Sequence, residues 1–216
     1  MTRDTHIDDL SAALVPVLLH KLNNATQYLS ALNSLLALGP EDTPASYFDG
    51  LGGTSRDVDE LGWLLGIAAN ACGANLLLER RERAGLGAMV RVTAEILRRE
   101  GRDLERIDRV LPEIAAFEAR GSRDASWRST WLVGSWLLAC GRERPRGASL
   151  AWELNLDGGE LEITVSVSPT PALLERVDRW RALTLDFDLS CRPGRSAEEA
   201  RLVVALRSTP ALERLS

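Results

Sequence analysis

Nowhere does the chain hold the roughly 18 consecutive apolar residues that a membrane span requires. Its opening residues, Met1-Thr2-Arg3-Asp4, begin no apolar signal segment. A cytoplasmic chain with no membrane partner is therefore expected. Cysteine is scarce. Cys72, Cys140 and Cys191 are odd in number and far apart, which excludes a disulfide framework and a metal-ligand cluster and leaves them as small buried apolar residues. Histidine is scarcer still. His6 and His20 are the only two, fourteen residues apart, so neither a metal site nor a serine–histidine or cysteine–histidine arrangement finds support. Basic charge is in deficit as well. The 26 Lys and Arg against 31 Asp and Glu give a net charge of −5, whereas a general nucleic-acid surface is usually basic. No nucleic-acid partner is expected, and the chain has no internal repeat or low-complexity tract.

What is present is an ordinary globular composition. The 216 residues are 45% apolar and 26% charged, enough for one large domain or two small ones. Residues 8–38 read as a helix, with Leu10, Leu14, Leu18, Leu22, Ala25, Leu29, Leu32 and Leu36 at steps of three and four on one expected buried stripe. Asp8 or Asp9 suits its first turn, and Gly39-Pro40 stops it. Residues 40–55, rich in Gly, Pro and Ser, read as a long connection. A second helix is expected over 56–83, with Leu61, Leu64 or Leu65, Ala68, Cys72, Leu76 and Glu79 on its inner stripe. Two helices do not bury both their faces alone, so two copies are expected to pair into a four-helix bundle, a homodimer.

The second half changes character. Residues 86–99 read as an amphipathic helix, 106–117 as holding a short strand, and 126–140 as a helix carrying Trp127, Trp131 and Trp136. The Trp face is expected to pack on a sheet, and Arg142, Arg144 and Arg146 to lie in a solvated loop. Residues 148–156 and 160–168 flank Asp157-Gly158-Gly159, a strong hairpin signal. A helix at 171–183 and a second hairpin, 185–191 and 200–207 around the turn 192–195, complete the chain. The fold class is α+β, with helices on one face of an antiparallel or mixed sheet. The expected domains are 1–84 and 85–216.

One short segment carries chemistry. His20 stands two residues from both Leu18 and Leu22. At about 100° per residue its ring turns away from the stripe. Asn23 and Asn24, three and four residues on, share its side. Imidazole is a nucleophile at neutral pH, and a neighbouring amide can orient a phosphoryl group. Pro16, four residues earlier, removes one helical hydrogen bond and bends the helix before the segment.

His20-Lys21-Leu22-Asn23-Asn24-Ala25 resembles the phosphoacceptor box of sensor histidine kinases, in which the histidine precedes an acid, an apolar residue, an asparagine four positions on, and proline. His20, Leu22 and Asn24 match, while Lys21 replaces the acid and Ala25 the proline. The order of elements also resembles a kinase core. That resemblance implies a helical hairpin forming a dimeric four-helix bundle, followed by an α/β sandwich like the kinase ATP-binding domain. It further implies a magnesium-binding asparagine on the helix 127–140, an Asp-x-Gly-x-Gly segment after the strand 160–168, and a glycine-rich lid. The helix has no asparagine, Pro169-Thr170-Pro171 follows the strand, and the stretch 168–185 is too short for a lid. A P-loop is also missing. The chain is therefore expected to bind no nucleotide and need no cofactor.

The resulting expectation is a histidine phosphotransfer protein of a bacterial two-component phosphorelay. His20 would carry the phosphoryl group between receiver domains, Asn24 and Asn23 would hydrogen-bond it, and Lys21 would steady its charge. The alternative is a catalytically inactive kinase-like module that docks a kinase or response regulator.

Overall fold

The computed structural model describes residues 5–38, 45–71, 85–119, 127–157, 160–168, 170–176, 187–193 and 200–207. Among the described residues five helices precede most of the strands in an α+β arrangement: α1 Thr5–Leu38, α2 Ala45–Ala71, α3 Leu86–Arg99, β1 Asp103–Leu104, α4 Ile107–Ala119, α5 Trp127–Arg142, β2 Ser149–Leu150, β3 Trp152–Asp157, β4 Glu160–Val167, β5 Phe187–Pro193 and β6 Ala200–Arg207. Residues 171–176 add a short helical segment.

Helices α1 and α2 pack along each other and against α3 and α5. The inner face of α1 buries Leu10, Leu14, Val17, Leu18, Ala25 and Leu32. Leu22, Leu29 and Leu36, expected on the same stripe, are instead exposed. They lie within about 40° of Leu18 around the helix, so they flank the buried stripe on a side that the other described elements do not cover. On α2, Leu61, Leu64, Ile67 and Ala68 face inward, and Leu65 faces out. Cys72, Leu76 and Glu79 lie outside the described residues.

The start of α2 corrects the long connection expected at 40–55, because residues 45–55 are helical. Their glycines permit close approach rather than mark a loop. A Cβ built on Gly50 would meet the Tyr28 hydroxyl, so the glycine leaves room for the end of that side chain between α1 and α2. The strand expected at 106–117 is likewise a helix, α4, and the strand lies just before it at Asp103–Leu104. Val110, Ile114 and Phe117 recur at steps of four and three and are buried, and that helical period outweighs the hydrogen bond that Pro112, inside the helix, does not make.

Helices α3 and α5 form the middle of the molecule. From Leu86 to Leu97, ten residues of α3 are buried, and α5 is buried on nearly every side from Thr130 to Gly141. Such all-round burial marks a helix covered on both flanks. Gly134 lets α5 meet Met89, and Gly141 lets it meet Leu97. Trp131, Trp136 and Cys140 lie in the same buried cluster, which joins Leu10, Leu14, Leu61 and Leu64 to Leu161, Ile163 and Val165 of β4. Burial pushes the Cys140 thiol far above its usual range.

The sheet has the order β3-β4-β6-β5, all antiparallel, while β1 and β2 form a separate parallel pair. The first hairpin pairs Asp157 with Glu160, as the Asp-Gly signal indicates. In the second, Arg192 and Pro193 belong to the ladder, opposite Arg201 and Ala200, and not to the turn. The remainder of the helix expected at 171–183 falls outside the described residues.

Helix α3 ends in a Schellman motif. Gly101 adopts φ +75°, its N–H donates to the Arg98 carbonyl, and the Arg102 N–H donates to the Leu97 carbonyl over 2.8 Å. The Arg102 guanidinium then donates to the Arg142 and Arg144 carbonyls. Arg142 closes α5 and binds Glu100 over 2.6 Å, which raises its pKa further. This corrects the solvated loop expected for Arg142.

Candidate functional site

Around α1 the side chains sort by angle. Leu18 is 1% exposed and faces the core, while His20, two residues on, is exposed to solvent. Asn24, one turn later, donates from Nδ2 to His20 Nε2 over 3.3 Å. Asn23 is also exposed. The Thr26 hydroxyl donates back to the Leu22 carbonyl over 2.9 Å, so it serves the helix and not the histidine. Pro16 lies inside α1, one turn before His20.

Lys21 points elsewhere. Its Nζ lies 3.2 Å from Glu95 of α3, and Glu95 also binds Arg99 at 2.7 Å. Neighbours in sequence diverge by about 100° on a helix, so the Lys21 ammonium is directed into the seam between α1 and α3. Of the four expected site residues, the fold joins His20 to Asn24, leaves Asn23 beside them, and ties Lys21 to another helix.

A cavity of about 290 Å³ opens between α1, α2 and α3, lined by Lys21, Asn24 and Tyr28, by Thr54, Asp57 and Glu60, and by Arg91. Asn24 belongs to both the cavity wall and the histidine contact. Arg91 spans to Glu60 over 2.7 Å. Beyond it, Glu118 of α4 accepts the N–H groups of Leu86 and Gly87 at the start of α3, over 2.8 and 3.4 Å. Burial pushes the Glu118 carboxyl up to about 7, against the lowering effect of those two bonds and of Arg91.

No family model matches this chain, and no curated protein does.

The chemistry open to the site follows from its groups. His20 offers a nucleophilic nitrogen to solvent, and Asn24 offers an amide within reach of whatever that nitrogen carries. Among the described residues no group of His, Cys, Asp and Glu is placed to hold a metal ion, and no helix is long and apolar enough to cross a membrane. His6 lies in the first turn of α1, away from this cluster in sequence.

Sequence reasoning missed three features. Glu95 and Glu118 reach their partners from distant elements, and nothing local announces them. A third was legible in the spacing. Val15, Leu22, Leu29 and Leu36 on α1, and Leu51, Val58 and Leu65 on α2, are large, exposed and seven residues apart. Leu22 lies about 200° around the helix from His20, and Val15 about 140°, so the apolar row occupies a different side of α1 from the imidazole.

Proposed function

We propose that this chain is a histidine phosphotransfer protein of a bacterial two-component phosphorelay, with His20 as the carrier. The observation that bears the reading is a solvent-facing imidazole, hydrogen-bonded to an amide one turn later, on a side of α1 that neither the core nor the exposed apolar row occupies. In the reaction, a ring nitrogen's lone pair forms a bond to phosphorus. The oxygen–phosphorus bond of a receiver's aspartyl phosphate breaks, and the aspartate carboxylate leaves with the electron pair. The reverse sequence delivers the group to a second receiver. ATP takes no part, in keeping with a chain whose sequence carries none of the nucleotide motifs.

In this reading residues 1–84 form the phosphotransfer and dimerisation region, and α1 with α2 is half of a dimeric four-helix bundle. The seven-residue rows support that pairing, because a heptad spacing is the pattern by which helices supercoil around partners. A second copy seated on the α1 row leaves His20 accessible. Residues 85–216 correspond to a degenerate kinase-type sandwich, joined to the first region through a shared core. The protein acts in the cytoplasm with receiver domains as partners.

The Lys21–Glu95 pair favours a second reading, in which the chain only docks a kinase or receiver, since it draws the residue after the histidine away from any incoming phosphoryl group. Incubation with receiver domains charged by radiolabelled acetyl phosphate separates the two. Phosphotransfer predicts acid-labile, base-stable label on wild type and none on His20→Ala. Receiver binding without label supports the docking module instead.

A further inference from the structure

We propose that the cavity between α1, α2 and α3 is a binding site for a small primary ammonium ligand, whose charge is held by Asp57 and whose hydrocarbon rests on an apolar floor.

The size of the cavity limits what enters it. At about 290 Å³ it lies at the lower end of the range for small-molecule pockets, about 300–1,000 Å³, so it takes a ligand of few heavy atoms. Its floor is core, because Leu61, Leu64 and Val92 line it and are buried. Its rim is polar and charged. A ligand that fills it needs a short apolar body and one polar end.

The sign of that end follows from how the charges are matched. Lys21, Asp57, Glu60 and Arg91 bring charge to the wall. Lys21 pairs with Glu95 at 3.2 Å and Arg91 with Glu60 at 2.7 Å. Asp57, which is exposed, is the charged lining residue left with no ion-pair partner among the described residues. An anionic ligand has to draw a cation away from Glu60 or Glu95, whereas a cationic one meets a free carboxylate. Thr54, three residues before Asp57, gives its hydroxyl hydrogen to the Gly50 carbonyl over 3.1 Å, so its oxygen faces a ligand as an acceptor. A primary ammonium has three hydrogens to donate and no lone pair, which suits both groups. Tyr28 adds an aromatic ring to the wall, and a ring face attracts cations. Asn24 lines the cavity and contacts His20, so an occupied site abuts the histidine, but binding itself does not depend on phosphotransfer.

Titration of n-butylamine into the isotope-labelled full chain, at about pH 7 where an alkylamine is charged, tests this by amide NMR without any receiver. Wild type should show saturable shifts concentrated at residues of the cavity wall, Thr54 and Asp57 among them. Butanol has the same body without the charge and should bind more weakly, and butyrate, of opposite charge, more weakly still. Asp57→Asn should weaken the amine by about three- to tenfold, as a hydrogen-bonded charge at an exposed carboxylate allows. Its butanol binding should match that of wild type, which also shows that the cavity is intact. Asp108→Asn removes an exposed carboxylate from α4, which does not line the cavity, and should leave the amine's affinity unchanged. Equal losses in the two variants, or shifts scattered over the surface, mean general attraction to an acidic chain and overturn the proposal. A wild type that binds no amine, or binds butyrate as tightly, overturns it too.

Discussion

Glu118 shows how one side chain can couple the fold to pH. The amino end of α3 has no side-chain cap of its own at Gly85, and the carboxylate from α4 takes that place. Burial outweighs the stabilising N–H groups and raises its pKa from 4.5 to about 7. Because the folded value lies above the unfolded one, the folded chain binds the extra proton between these two values. Stability is then greatest below the unfolded value and falls as pH rises through about 7. The groups facing it are Arg91 of α3, which lowers the pKa, and Glu60 of α2, which raises it. Thermal melts of wild type from about pH 5 to about pH 8 should lose stability relative to Glu118→Gln, which keeps an acceptor oxygen but does not titrate. Parallel curves for the two proteins would rule out Glu118 as the source.

At the level of single elements, the helical period of apolar residues was readable in three of the helices. That holds for α1, α3 and α5, whose ends fall within a few residues of those expected from sequence. The reading failed where long-range contacts decide. Gly50, Gly52 and Gly53 look like a loop in isolation, but Tyr28 occupies the space that a side chain at Gly50 would need. Residues 106–117 read as holding a strand, although Val110, Ile114 and Phe117 mark the buried face of α4. Two glycines of α2 offer a test. A Cβ at Gly62 would meet nothing within 4 Å, so Gly62→Ala should raise stability by up to about 1 kcal/mol through helix propensity. Gly50→Ala should lower it by about 1–3 kcal/mol through overpacking against Tyr28. Chemical denaturation of both variants measures the difference, and equal effects would mean that α2 does not approach α1 at Gly50.

For the whole molecule, the α+β class and the antiparallel hairpins were legible, because Asp157-Gly158 and alternating apolar residues are local signals. The layering was not. That α3 and α5 are covered on both flanks depends on Gly134, Gly141 and residues scattered from Leu10 to Val165. Leu22 and Leu29 are 39% and 42% exposed, and in the proposed dimer the second copy would cover them. Each such side chain contributes about 1.5–3 kcal/mol when fully buried. The double variant Leu22→Glu and Leu29→Glu should therefore sediment as a monomer at concentrations where wild type is a dimer. A wild-type monomer at all concentrations would remove the four-helix bundle from the account.

Phosphorus NMR of the chain mixed with a receiver's aspartyl phosphate tests the central claim most directly. The account predicts that a phosphohistidine resonance grows as the aspartyl phosphate signal declines, and that His20→Ala abolishes it. Decay of the aspartyl phosphate to inorganic phosphate alone, with no phosphohistidine resonance from wild type, would contradict it.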